Sequence, residues 1–155
     1  MHAFKRKLSL MILFLPIYSS QSLWGHCQIP CGIYDDPAQF KILLEHVETL
    51  KKSITEVNRL AAEPTPNYNQ LVRWVNNKDQ HADAIKTIIA EYFLAQRIKI
   101  DEADYAKKLK LLHSIIVYAM KTKQSVDAVT AEKLETAIKT FEKLYIKKHD
   151  HPEMP

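Results

Sequence analysis

Glycine is almost missing from this 155-residue chain: only Gly25 and Gly32 are present. That excludes glycine-rich phosphate loops and dinucleotide fingerprints, and it argues against a turn-rich β fold. Cysteine is as scarce, with Cys27 and Cys31 alone. Two thiols are too few for a disulfide-rich scaffold or a four-thiolate zinc site. No nucleophile elbow, HExxH motif or Walker loop is present, and no glutamate is followed by histidine three residues later, as inward-facing di-iron carboxylate pairs require. What remains is a chain with 46% hydrophobic and 26% charged residues, a composition that suits one folded domain with a sizeable core. Both glycines and both cysteines fall between positions 25 and 32, and this concentration singles that stretch out.

The first 25 residues have a composition of their own. Lys5, Arg6 and Lys7 form a positive start, an apolar run from Leu8 to Ile17 follows, and the polar stretch Tyr18 to Ser22 closes it. This is the layout of a secretory signal peptide, and the run of about ten residues is short for a spanning helix, which needs roughly 20. An uncleaved N-terminal anchor is the other reading. Ser20 and Ser22 allow cleavage after Ser22, whereas cleavage after Gly25 has a good final residue but the bulky Leu23 upstream. The expected organisation is therefore a removable leader over 1–25 and a domain over 26–155, exported to a periplasm or the extracellular space; an organelle reached through a similar leader stays open. Loss of the leader leaves 19 Lys and Arg against 18 Asp and Glu, so the formal charge of +4 on the whole chain is mostly the leader's. A nucleic-acid partner loses its support, and no stable membrane association is expected once the leader is gone.

From Asp36 onward the sequence reads as four amphipathic helices over about 37–149. Phe40, Leu43, Val47, Leu50, Ile54, Val57 and Ala61 recur at spacings of three and four, one face of a helix. Pro37 suits its first turn, and Glu63-Pro64-Thr65-Pro66-Asn67 ends it. A second stripe runs through Leu71, Val75, Ala82, Ile85, Ile89 and Tyr92. Asp101 is the expected cap of a third helix, whose face carries Ala106, Leu109, Leu112, Ile116 and Met120; Thr130 is the expected cap of a fourth, with Leu134, Ile138, Phe141 and Tyr145 inward. Short connections favour an all-α, antiparallel up-and-down four-helix bundle. His46, His81 and His113 sit one to a helix and read as hydrogen-bonded or surface histidines. The His149-Asp150-His151 tail reads as a solvated end.

The chemistry concentrates in His26-Cys27-Gln28-Ile29-Pro30-Cys31-Gly32-Ile33-Tyr34. Two thiols four residues apart, with proline and glycine between and after them, can converge on one point. In an exported protein they can form a small disulfide, or they can hold a soft metal such as copper or zinc. A chain cut after Gly25 adds further donors: the free amine and imidazole of His26, the amide nitrogen and thiolate of Cys27, and the thiolate of Cys31. Amine, amide nitrogen and sulfur on consecutive positions close two fused five-membered chelate rings, which suits a square-planar Ni(II) or Cu(II) ion better than tetrahedral zinc. Binding would be pH-sensitive, because amine, amide and thiols must all lose protons.

The pattern His26-Cys27-x-x-Pro30-Cys31-Gly32-x-Tyr34 resembles the nickel hook that begins the mature chain of nickel superoxide dismutases. Asn69 through Lys78, His81-Ala82-Asp83 and Glu91-Tyr92-Phe93 are similar to that family's second helix. The resemblance implies an irregular N-terminal hook over 26–34 on a right-handed four-helix bundle, assembled as a homohexamer. It implies one nickel ion per subunit and disproportionation of superoxide to dioxygen and hydrogen peroxide through Ni(III) and Ni(II). By matching positions, His26, Cys27 and Cys31 would be the metal ligands. Tyr34, at the approach to the open axial face, and Tyr92 would be the site tyrosines. The family's acid and arginine that brace the histidine have no matched counterpart here; Glu45 and Arg73 share only residue type with them. Asp35-Asp36 is one residue longer than in some relatives. The contrasting reading is an exported, non-catalytic helical metal-binding or interaction protein with a Cys27–Cys31 disulfide.

Overall fold

The computed structural model describes residues 34–146. Helix formation starts at Asp35, whose carboxylate accepts from the backbone N–H of Ala38 at 2.9 Å and so caps α1 (Asp36–Ala61), with Pro37 in its first turn. Asn67 caps α2 (Tyr68–Thr87) in the same way, accepting from Gln70 N–H at 3.2 Å. Helix α2 runs without a break into a π-helical segment, Ile88–Arg97, and the N–H of Ile98 closes onto Phe93 O at 3.0 Å. Helices α3 (Tyr105–Gln124) and α4 (Ala128–Ile146) complete the order, and no strand occurs among the described residues.

Each helix packs on its sequence neighbour, and α4 returns to α1. Side-chain pairs run in opposite order along adjacent helices, which makes the neighbours antiparallel. Phe40 at the start of α1 meets Phe93 at the end of the second rod and Phe141 and Tyr145 at the end of α4. Deeper along α1, Asn77 donates to Ser53 Oγ at 2.8 Å; at its far end Asn58 donates to Val126 O at 3.1 Å. The connections 62–67, 98–104 and 125–127 are short, as an up-and-down bundle needs. Phe40, Phe93, Phe141 and Tyr145 form one aromatic cluster with ring centroids 4.9–5.8 Å apart, the spacing of tilted and edge-on pairs.

The expected stripes of α1 and α4 are buried, except that Leu60 replaces Ala61, which is exposed. In the second rod Ala82, Ile85, Ile89 and Tyr92 are buried, while Leu71 and Val75 are half-buried. The third helix differs from expectation in both start and face. It begins at Tyr105, not after Asp101; Asp104 precedes it at φ 62°, a left-handed conformation that aspartate tolerates better than most residues. Glu102 turns instead to the buried Lys108, its Oε2 accepting from Nζ at 2.6 Å. The inward face is Lys108, Leu112, Ile115, Ala119 and Thr122, whereas Ala106 and Met120 are exposed and Leu109 and Ile116 half-buried. This face includes a lysine, a threonine and a small alanine, so apolar spacing favours the bulkier residues beside it. The fourth helix starts two residues before Thr130. Asp127 caps it, accepting from Val129 N–H and from the Thr130 hydroxyl, both at 2.9 Å.

Lys78, only 2% exposed, spans from α2 to the end of α3. Its ammonium donates to Thr122 O at 2.6 Å, Lys123 O at 2.9 Å and Asp79 Oδ1 at 2.8 Å. The last carbonyls of a helix have no partner within it, so this lysine caps α3 from its neighbour. Lys78→Met keeps the bulk and removes the donors. It should lower stability by about 1–3 kcal/mol, read as a drop of several degrees in thermal unfolding by circular dichroism; an unchanged midpoint would contradict the capping role.

Candidate active site

Tyr34 is the first described residue and lies three positions after Cys31. His26, Cys27 and Cys31 lie outside the described residues, and so does the His149-Asp150-His151 tail. Among the described residues no group of three or more His, Cys, Asp or Glu side chains could hold a metal ion.

Tyr34 and Tyr92, both singled out from the sequence, meet edge-on, with ring centroids 5.9 Å apart and planes at 77°. The guanidinium of Arg97 lies over the Tyr34 ring at 4.4 Å, within cation–π range. The Tyr34 hydroxyl donates to Gln96 Oε1 at 3.4 Å, a long and weak hydrogen bond. The Tyr92 hydroxyl is held much more tightly, donating to Asp36 Oδ1 at 2.5 Å.

Asp36, two residues beyond Tyr34, is the hub of this end of the bundle. Its Oδ1 also accepts from Arg97 Nε at 3.0 Å; Oδ2 accepts from Arg97 Nη2 at 2.6 Å and from the Tyr145 hydroxyl at 2.8 Å. The arginine thus grips the carboxylate with both prongs of its fork. Burial alone would raise the Asp36 pKa, but the hydrogen bonds from Arg97, Tyr92 and Tyr145 and the Arg97 charge outweigh it and hold the carboxyl below its ordinary value. The phenols respond in the opposite sense. Burial and then the hydrogen bond to the Asp36 carboxylate push Tyr92 and Tyr145 well above the usual tyrosine range, so both stay protonated. Arg97 stays charged.

Asp36, Gln96, Arg97 and Tyr145 were not legible as site residues in the sequence. Asp36 reads as a first-turn acid and Tyr145 as core. Arg97 is hidden by the π-helical segment. There each backbone hydrogen bond spans five residues, so Tyr92 and Arg97 share a face that α-helical spacing would separate. The hydrogen bond from Gln96 Nε2 to Glu91 O, at 2.8 Å, follows the same five-residue step. The only sequence signal is an arginine five residues after a tyrosine.

The histidines divide as expected. His46 and His81 approach across α1 and α2 with Nδ1 atoms 2.8 Å apart, and His113 is exposed on α3. Glu45 is exposed, 3.9 Å from Lys41, and Arg73 is exposed beside Trp74 on α2; neither touches the Asp36 cluster.

These features describe an all-helical bundle with a tyrosine-lined, ion-paired end, directly preceded in the chain by a segment bearing two thiols: the build of a small helical metalloprotein. The family model for nickel-containing superoxide dismutase matches residues 21–149. The chain belongs to that family; it is a nickel-dependent superoxide dismutase, an oxidoreductase with superoxide as substrate and nickel as cofactor. No curated protein and no solved structure matches it.

Burial, and next the neighbouring His81, hold the His46 pKa below the ordinary histidine value, with Glu45 opposing. One proton between the two Nδ1 atoms makes a hydrogen bond; a second turns both into donors and breaks it. A histidine depressed in the folded state stabilises it above the unfolded pKa, near 6.5, and that contribution is lost as pH falls. Thermal unfolding of the unaltered chain should therefore weaken from pH 7.5 to 5.5 more steeply than that of His46→Gln. Equal slopes would contradict the pairing.

Proposed function

We propose that residues 1–25 are an export leader removed after Gly25, and that His26, Cys27 and Cys31 then hold one nickel ion. The observation that carries this reading is the family match from residue 21 to 149, which takes in both cysteines and the leader's last five residues. The donor chemistry supports it: Cys27 and Cys31 are the sequence's only cysteines, and thiolates combined with amine and amide nitrogen donors would suit a nickel ion. When bound, nickel would supply one-electron exchange between Ni(III) and Ni(II), the redox change needed to disproportionate superoxide to dioxygen and hydrogen peroxide.

The chain's own residues shape the approach. Tyr34 has a hydroxyl bound only weakly to Gln96, which leaves it able to order water and limit access to small anions. Tyr92 has its hydroxyl engaged by Asp36, so its part is to wall the Tyr34 ring rather than to donate to substrate. The mature charge is near balance, so attraction of the superoxide anion is local. The homohexamer and the right-handed bundle follow from family resemblance, and export to a periplasm or the extracellular space from the leader. None of the described helices is long and apolar enough to cross a membrane.

Substitution tests the assignment. Cys27→Ser and Cys31→Ser should each lose bound nickel and superoxide dismutation while the helical circular dichroism is unchanged. Tyr34→Phe should keep its nickel and lose roughly tenfold in rate, the scale of a group that supports a metal site without ligating it. Dismutation retained in either cysteine variant would overturn the hook, and a Cys27–Cys31 disulfide in nickel-free protein would favour the non-catalytic reading.

A further inference from the structure

We propose that Arg97 is a positioning residue for Tyr34: clamped by Asp36, it seats the Tyr34 ring and so sets which anions pass it. The consequence for anions rests on the reading above, in which Tyr34 lines the approach to nickel; the seating itself does not.

Three observations lead to this role. Among the described residues the hydroxyl of Tyr34 has one partner, Gln96 at 3.4 Å, too long to fix a ring. Among the described residues packing orients it, with the Arg97 guanidinium over its ring at 4.4 Å and the Tyr92 ring edge-on at 5.9 Å. Arg97 in turn has little freedom, because Nε and Nη2 are both committed to the Asp36 carboxylate at 3.0 and 2.6 Å. Asp36 stands two residues after Tyr34 at the start of α1, so one ion pair fixes both the backbone leaving Tyr34 and the guanidinium over its ring. Tyr92 and Tyr145 complete the clamp by donating to the same carboxylate.

The charges decide between orientation and attraction. Arg97 and Asp36 neutralise each other at contact distance, and their side chains are only 22% and 13% exposed. A pair so closed gives little net field to draw an anion from solution. A flat, pre-ordered guanidinium, by contrast, stacks on an aromatic face in a way an ammonium on a flexible stem does not.

Arg97→Lys separates the two roles, because it keeps the positive charge beside Asp36 and loses the fork and the plane. Arg97→Gln removes the charge as well. Seating is read directly by NMR of ring-labelled tyrosine, with the Tyr34 signal assigned by its absence in Tyr34→Phe, on protein with or without metal. In both Arg97 variants that signal should shift and broaden while helical circular dichroism is retained. In nickel-loaded protein both variants should keep their nickel, lose roughly tenfold in kcat with little change in KM, and bind azide several-fold more tightly as the passage loosens. A Tyr34 signal unchanged in Arg97→Lys would overturn the proposal whatever the activity. Full recovery of rate by lysine but not glutamine would also overturn it, in favour of charge attraction. Nickel-free, inactive unaltered protein with a shifted Tyr34 signal in the variants would instead count against the dismutase site and leave the seating intact.

Discussion

A single half-buried carboxylate joins three elements at one end of the bundle. Asp36 starts α1, Tyr92 and Arg97 lie in the π-helical segment, and Tyr145 lies in the last turn of α4; all three elements converge on its two oxygens. Burying that charge is unfavourable unless it is paired and fully hydrogen-bonded. Here a two-pronged arginine and two phenols supply the compensation, and the carboxylate stays ionised. Directly beneath, the rings of Phe40, Phe93, Phe141 and Tyr145 fill the bundle. Tyr145 belongs to both layers, its ring in the core and its hydroxyl on Asp36. The buried Lys108 sits 5.2 Å over the same ring and is paired with Glu102, so the loop before α3 is tied to this end as well.

The π-helical segment explains how a regular bundle makes so irregular a site. Ten residues with widened turns place Tyr92 and Phe93, consecutive in sequence, both inside, one aimed at Asp36 and the other into the aromatic core. The same step brings Gln96 and Arg97 onto Tyr34. Departures from α-helical hydrogen bonding tend to occur at functional positions, and this one lies against the first residue described after the thiol segment.

Much of this was legible in the sequence where burial and apolarity coincide. The stripes Phe40 to Val57 and Leu134 to Tyr145 are buried as their spacing implies, and the break around Pro64 and Pro66 falls between α1 and α2. Reading failed where inward positions are polar or small. Lys108, Ala119 and Thr122 share the inward face of α3 with Leu112 and Ile115, and no hydrophobic count would choose the lysine and the threonine. The helix starts differ for a related reason: by residue type Asp101 caps as well as Asp104, and Thr130 as well as Asp127. In the fold Glu102, ahead of the third helix, pairs with Lys108, while Asp127 caps the fourth. A motif singles out Tyr34 and Tyr92, whose rings the fold brings together. It does not single out Asp36, Arg97 and Tyr145, since each has an ordinary helical explanation until the chain brings them together.

The proposed nickel donor set requires that the mature chain begin at His26, because only then does the histidine offer a free amine beside the Cys27 amide and thiolate. Intact mass and metal analysis of the mature protein purified from its own host test this most directly. A mass that begins at His26, with one nickel per chain, is the predicted result. A chain that begins at Leu23, or one lighter by 2 Da for a disulfide and free of nickel, would contradict it.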